Sequence, residues 1–148
     1  MASRAVLGLD GSGHSRRAGS FLAALKPAGW VRVVRVVEPI RLSSIGLLPA
    51  PVRVRILGEA SRVAAAQRSA ARREIEAAVA RLKRAGWRAT AEVRQGVPLD
   101  ELLKAVRAAR ANMLVVGARG VGGVARLLLG SVANGAVRHA PCAVLVIR

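Results

Sequence analysis

Apolar residues along the chain switch between a run or alternation of strand length and the three-and-four spacing of a helix face. "RAVLGLD" (4–10) is a short apolar run of strand length. "GSGHSRRAGSFLAALKPAG" (11–29) opens as a turn and continues as a helix, with Ser12 or Ser15 near its cap. "WVRVVRVVEP" (30–39) is β-branched, its apolar run broken by Arg32 and Arg35, and predicts a second strand. Residues 40–57 hold Ser, Gly and two prolines and fit no single period, so an irregular excursion is expected there. Beyond it Ala60, Val63, Ala64, Ala71, Ile75, Ala78, Val79 and Leu82 fall at helical spacing. Arg62, Arg68, Arg72 and Arg73 lie largely off that stripe, which predicts a long amphipathic helix over 58–85. "WRATAEVRQG" (87–96) alternates and is polar enough for an edge strand. "VPLDELLKAVRAARA" (97–111) has Pro98, Asp100 and Glu101 at its start and Arg107 and Arg110 at its end, as the dipole of a helix favours. A fourth strand over 112–117, a short helix over 130–141 stopped by Pro141, and a fifth strand over 142–148 complete the series.

Strands alternating with helices of this length imply one α/β domain over 1–148, with a parallel sheet covered on both faces. Such an open sheet binds ligands beyond the carboxyl ends of its strands, where the strand order reverses. A faint internal echo supports the repeated unit. "KPAGWVR" (26–32) and "KRAGWRA" (83–89) each close a helix with Gly, read as a left-handed helix stop, and open the next strand with Trp.

Composition narrows the class. A hydrophobic fraction of 53% in 148 residues excludes a disordered chain. No apolar run approaches the roughly 20 residues a membrane helix requires, and a soluble, cytoplasmic protein is expected. Cys142 is the only cysteine, so it has no internal disulfide partner, and no Cys/His spacing resembles a zinc site. A buried, inert thiol fits its place at the head of "CAVLVI". The net charge of +17 comes from 25 basic and 8 acidic residues spread over the whole chain, and should attract polyanions generically. Aromatic platforms for stacking bases are scarce: Phe21, Trp30 and Trp87, with no Tyr.

The stretch with most chemistry is "GARGVGGVARLLLGSVA" (117–133). It holds no GxxxxGK[ST], and although "GVGGVA" (120–125) matches G-x-G-x-x-A, no acidic residue follows Glu101, so the dinucleotide fingerprint fails. "DGSGHS" is no nucleophile elbow, and His14 and His139 lack recognisable triad partners. What remains is Gly117-x-x-Gly120, nine residues, then Gly130-Ser131 at a helix start. These glycines read either as turn punctuation or as a cradle in which backbone N–H groups and a helix N-terminus clamp a polyphosphate from two sides. Asp10 reads either as a cap of the first turn or as a ligand group.

At this point the chain resembles the universal stress protein family. The residues that carry the likeness are "VLGLDGSGHS" (6–15), "VVRVVEP" (33–39), "VRQGVPLDELLKAV" (93–106) and everything from Asn112 to Arg148, where G-x2-G-x9-G-S/T is the pattern of the family's ATP-binding branch. The resemblance implies an open five-stranded Rossmann-like α/β fold of the adenine nucleotide alpha hydrolase type, with strand order 3-2-1-4-5. It also implies ATP in the cleft, with or without Mg²⁺, and a homodimer paired through the last strand. Carried over, Asp10 faces the ribose and the phosphate–metal end, Val36 offers backbone hydrogen bonds and an apolar wall to adenine, and Gly117, Gly120, Gly130 and Ser131 hold ribose and phosphates. Arg119 joins them on its charge alone, while Arg126 reads as a solvated surface charge. Asn112, where the family often has Asp, and the high positive charge are departures. The expected function is an ATP-binding, nucleotide-sensing or signalling module of the stress response, with at most slow ATP hydrolysis because no general base is visible. The competing reading is a basic polyanion- or RNA-binding protein on the same scaffold, and a small α/β hydrolase or transferase is disfavoured by the missing nucleophile–base pair.

Overall fold

The computed structural model describes residues 3–25, 29–43, 45–121 and 129–148. Five strands, β1 (Ser3–Leu9), β2 (Gly29–Val37), β3 (Arg88–Gln95), β4 (Met113–Gly117) and β5 (Ala143–Ile147), alternate with helices α1 (Gly13–Ala24), α2 (Ala50–Arg84), α3 (Pro98–Ala108) and α4 (Ser131–His139). All four strand pairings are parallel and the order is β3-β2-β1-β4-β5.

Every connection must therefore cross over the sheet, and the crossovers deliver two apolar layers. On one face Ala5, Leu7, Val31, Val33 and Val115 pack with Ala18 and Leu22 of α1 and Ile75, Ala78 and Leu82 of α2. On the other, Val6, Val34, Leu114 and Val116 pack with Leu102, Ala105 and Val106 of α3 and Ala133 and Ala136 of α4. β1 lies in the middle and is covered on both sides, which is why its apolar run does not alternate with polar residues. Asn112 fixes the start of β4: its Oδ1 accepts the Arg4 N–H at 2.9 Å and its own N–H donates to the Arg4 carbonyl at 2.8 Å, an acceptor role an Asp would also fill.

Two expectations need correction. The long helix begins at Ala50, not near 58, so the irregular excursion shrinks to the residues ahead of it, among them a 3-10 turn at Ile45–Leu47. Pro49 is the N-cap and Pro51 sits in the first turn, where no N–H is needed, so these prolines open the helix and do not interrupt it. The repeated Gly-Trp junction is also not one device used twice. Gly86 takes φ +92° and ends α2 as a left-handed stop, with its N–H donating to the Lys83 carbonyl and the Trp87 N–H to that of Leu82, each at 3.0 Å. Gly29 instead lies in β2, beyond the end of α1 at Ala24, and a Cβ there would run into the Ser3 backbone.

Candidate functional site

The chain winds from β1 outward to β2 and β3 on one side, then returns to β4 and β5 on the other, so strand order reverses between β1 and β4. At the carboxyl ends of these strands lies a cleft of about 630 Å³. All seven residues singled out in the sequence, Asp10, Val36, Gly117, Arg119, Gly120, Gly130 and Ser131, line it. Residues 122–128, with Arg126 and most of the "GVGGVA" match, lie outside the described residues.

Asp10 follows directly on β1 and ties the two loops of the cleft together. Its Oδ1 accepts the Ser12 N–H at 2.9 Å and its Oδ2 the Val121 N–H at 3.1 Å, across 111 residues of sequence. Ser12 caps α1 by accepting the Ser15 N–H at 3.1 Å, and its hydroxyl donates to the Arg119 carbonyl at 3.0 Å. Burial by itself would raise the Asp10 carboxyl, but hydrogen bonds from Ser12, Ser15 and the Val121 N–H outweigh it and hold the group below its ordinary value of 3.8. Asp10 is thus an ionised acceptor fixed in place.

The three glycines answer to different neighbours. A Cβ on Gly117 would come within 2.6 Å of the Ser15 backbone nitrogen and 2.7 Å of the His14 carbonyl carbon, so its bareness lets the end of β4 pack on the start of α1. A Cβ on Gly120 would meet only the Asp10 carboxylate, 2.5 Å from Oδ2. On Gly130 it would approach the Arg119 Cα to 3.3 Å, a tight but smaller intrusion. Neither Gly120 nor Gly130 has a positive φ, so backbone conformation does not demand glycine at either. Space in front of the backbone does.

Gly130 is the N-cap of α4, and no side chain caps that helix. Its first N–H groups, with the positive end of the helix dipole, belong to the same wall as Gly117 and Gly120, and the Gly130 N–H is tied to the Ala118 carbonyl at 2.7 Å. Val34, Val36, Pro98 and Leu102 give the cleft an apolar part.

Several lining residues were missed in the sequence. Gln67, Ala71 and Glu74 bring α2 to the cleft, and Arg35 spans the gap, its Nη1 donating to the Leu9 carbonyl at 3.4 Å and its Nε 3.8 Å from Glu74 Oε2. The available signal was one of two arginines in an otherwise apolar strand and an acid beside the buried stripe of a helix. Cys142 is half-buried, and burial pushes its thiol up, away from the reactive thiolate. Among the described residues no group of three His, Cys, Asp or Glu could hold a metal ion by itself. Nor is any described helix long and apolar enough to cross a membrane.

Comparison with known proteins agrees with this architecture. The chain is 33% identical over 145 residues to the Thermus aquaticus "universal stress protein in QAH/OAS sulfhydrylase 3'region", covering 97% of this chain and 96% of that one. The solved structure of hypothetical protein MJ0577 superposes with a TM-score of 0.82 at 17% identity, over 99% of this chain and 96% of the other. An Arabidopsis thaliana universal stress protein family protein, solved with AMP bound, superposes at 0.63 and 19% identity, over 98% and 90%. These two likenesses show the fold. The model of the universal stress protein family matches residues 1–148, and the chain belongs to that family.

Proposed function

We propose that the cleft binds an adenine nucleotide, ATP foremost, and that the protein acts as a nucleotide-sensing module in the stress response. The observation that carries this reading is the meeting of Asp10, the bare backbone at Gly120 and the uncapped N-terminus of α4 in one cleft that also has apolar lining residues. Each part suits one part of the ligand. The wall of Val34, Val36, Pro98 and Leu102 would take the base, and an ionised Asp10 would accept from ribose hydroxyls. The N–H groups of Gly120 and the first turn of α4 would donate to phosphate oxygens, with Arg119 adding charge. A cleft of about 630 Å³ has the size of ordinary small-ligand sites. The AMP held by the Arabidopsis relative supports the same ligand class.

Mg²⁺ fits as a companion of the phosphates and not as a resident ion. Asp10 is the one carboxylate tied to the glycine loop, and both its oxygens already accept an N–H, leaving one or two lone pairs for a cation that keeps its water and phosphate ligands. The carboxylate tied to the glycine loop, Asp10, is already engaged by two N–H donors, so retention of nucleotide, and not turnover, is the proposed activity.

Gly130→Val decides the matter, because its side chain would stand in the cradle while its backbone conformation suits any residue. Isothermal titration should give saturable ATP binding to the wild type and at least a tenfold loss in the variant, with unchanged circular dichroism. Equal affinity in both proteins would remove the cradle.

A further inference from the structure

The Gly-Trp echo has no part in the nucleotide cleft, yet the fold brings its two copies together. β2 and β3 run side by side with Trp30 opposite Arg88 and Arg32 opposite Thr90, and Trp87 immediately precedes β3. At this end of the sheet, the one remote from the strand carboxyl ends, a pocket of about 570 Å³ is lined by Trp30, Arg32, Lys83, Trp87, Arg88 and Thr90. We propose that this pocket is a second site, which takes a nucleotide unit of single-stranded nucleic acid.

Three features point to that ligand. The first is a stacking surface. The Arg32 guanidinium lies 6.0 Å from the centroid of the Trp30 ring, and bases stack on indole faces and guanidinium planes alike. Trp30 is half-buried, so part of its ring is open, whereas Trp87 is 4% exposed and packs in the core on the α1/α2 side.

The second is charge. Arg32, Lys83 and Arg88 are cationic and no acidic side chain lines the pocket. Glu92 engages Arg32 at 3.4 Å from outside it, while Lys83 and Arg88 have no ion-pair partner among the described residues. The third is an uncommitted donor: the Nε1–H of Trp87 is buried with no hydrogen-bond partner among the described residues, although a buried indole N–H usually finds one.

The surroundings leave the pocket accessible. Arg88 and Thr90 are exposed, beside the half-buried Trp30 and Arg32. A bare anion would need only the cations, and a duplex keeps its bases stacked on one another. A single strand uses both the rings and the charges, and the rest of the +17 surface would accompany its flanking phosphates.

The chain carries its own reporter. Its two tryptophans both line this pocket and it has no tyrosine, so intrinsic emission reads this site. A short oligothymidylate at physiological salt should quench that emission saturably, and equally in Gly130→Val, whose substitution lies in the nucleotide cleft. A DNA duplex and heparin should bind only at lower salt and leave the emission unquenched. Trp30→Ala and, independently, Arg88→Glu should weaken binding of labelled oligothymidylate by about tenfold, whereas Trp30→Phe should retain it. Arg88 is exposed, so its variant remains a test if Trp30→Ala does not fold. Equal binding of heparin and oligothymidylate, loss of oligothymidylate binding in Gly130→Val, or unchanged affinity in Arg88→Glu would each overturn the site. None of these results bears on ATP titration of the cleft, so the two readings fail separately.

Discussion

Asp10 has a structural task before any ligand arrives, because its two oxygens join the loop after β1 to the loop after β4. Its carboxyl is held below the ordinary value, so its ionised form is favoured by folding. The contribution is fully present above about pH 3.8, the ordinary value, and is lost as pH falls through the lower folded value. Asp10→Asn should therefore be less stable than wild type at neutral pH and converge on it in acid, in urea titrations run across that range. A constant difference at every pH would mean that the hydrogen bonds act without the charge. The same scale separates the glycines. Gly117→Ala forces a Cβ onto the α1 backbone and should destabilise by about 1–3 kcal/mol as overpacking does. Gly120→Ala sets a Cβ 2.5 Å from the Asp10 Oδ2 that holds the Val121 N–H, so it should lower the melting temperature too, by less than Gly117→Ala because it displaces a side chain and not backbone. Sequence spacing grouped these glycines into one cradle. Which of them serves packing depends on an approach between Gly117 and His14–Ser15 that no local pattern encodes.

Helix ends show where local pattern is a sound guide and where it fails. The cap of α1 was legible to within two serines, Ser12 or Ser15, and the structure gives Ser12; the acidic start of α3 was legible because the helix dipole also acts locally. The start of α2 was not, because proline marks both the interruption of a helix and its first turn, and only the observed Pro49–Ala50–Pro51 geometry tells them apart. The end of α3 was half-read. The sequence predicts Arg110 as a cation on the dipole; in the structure it also occupies the left-handed stop, with φ +45°, its N–H donating to the Arg107 carbonyl at 3.0 Å and the Ala111 N–H to that of Val106 at 2.9 Å. That is the position Gly86 fills at the end of α2, here held by a residue whose Cβ makes the conformation cost about 1–2 kcal/mol. Arg110→Gly should raise stability by about 0.5–1 kcal/mol, the strain relieved less the extra freedom of glycine in the unfolded chain. Thermal unfolding checks it, and a lower melting temperature would show that the charge at the helix end outweighs the strain.

At the scale of the whole molecule the sheet has two unlike edges. β3 is guarded by charge: Arg32 pairs with Glu92 across to β2, and Arg94 lies 3.3 Å from both Glu92 and Glu101. β5 has no such guard, since Ala143 is exposed and Val144, Leu145, Val146 and Ile147 are only half-buried. Strand order followed from the family likeness and the parallel sheet from alternation, but the contrast between edges needed the register. An unguarded apolar edge invites pairing with a second copy of itself across a two-fold axis, and we propose a homodimer through β5. Each protomer carries a formal charge of +17, so the association proceeds against repulsion. Salt screens that repulsion and should tighten the dimer, while the same salt weakens every phosphate contact on the surface. Sedimentation equilibrium at micromolar concentration should thus show dimer increasing with ionic strength, and Val146→Lys, which places a charge on the edge, should give a folded monomer throughout. A wild type that stays monomeric at high salt would leave β5 without a partner strand and end this assignment.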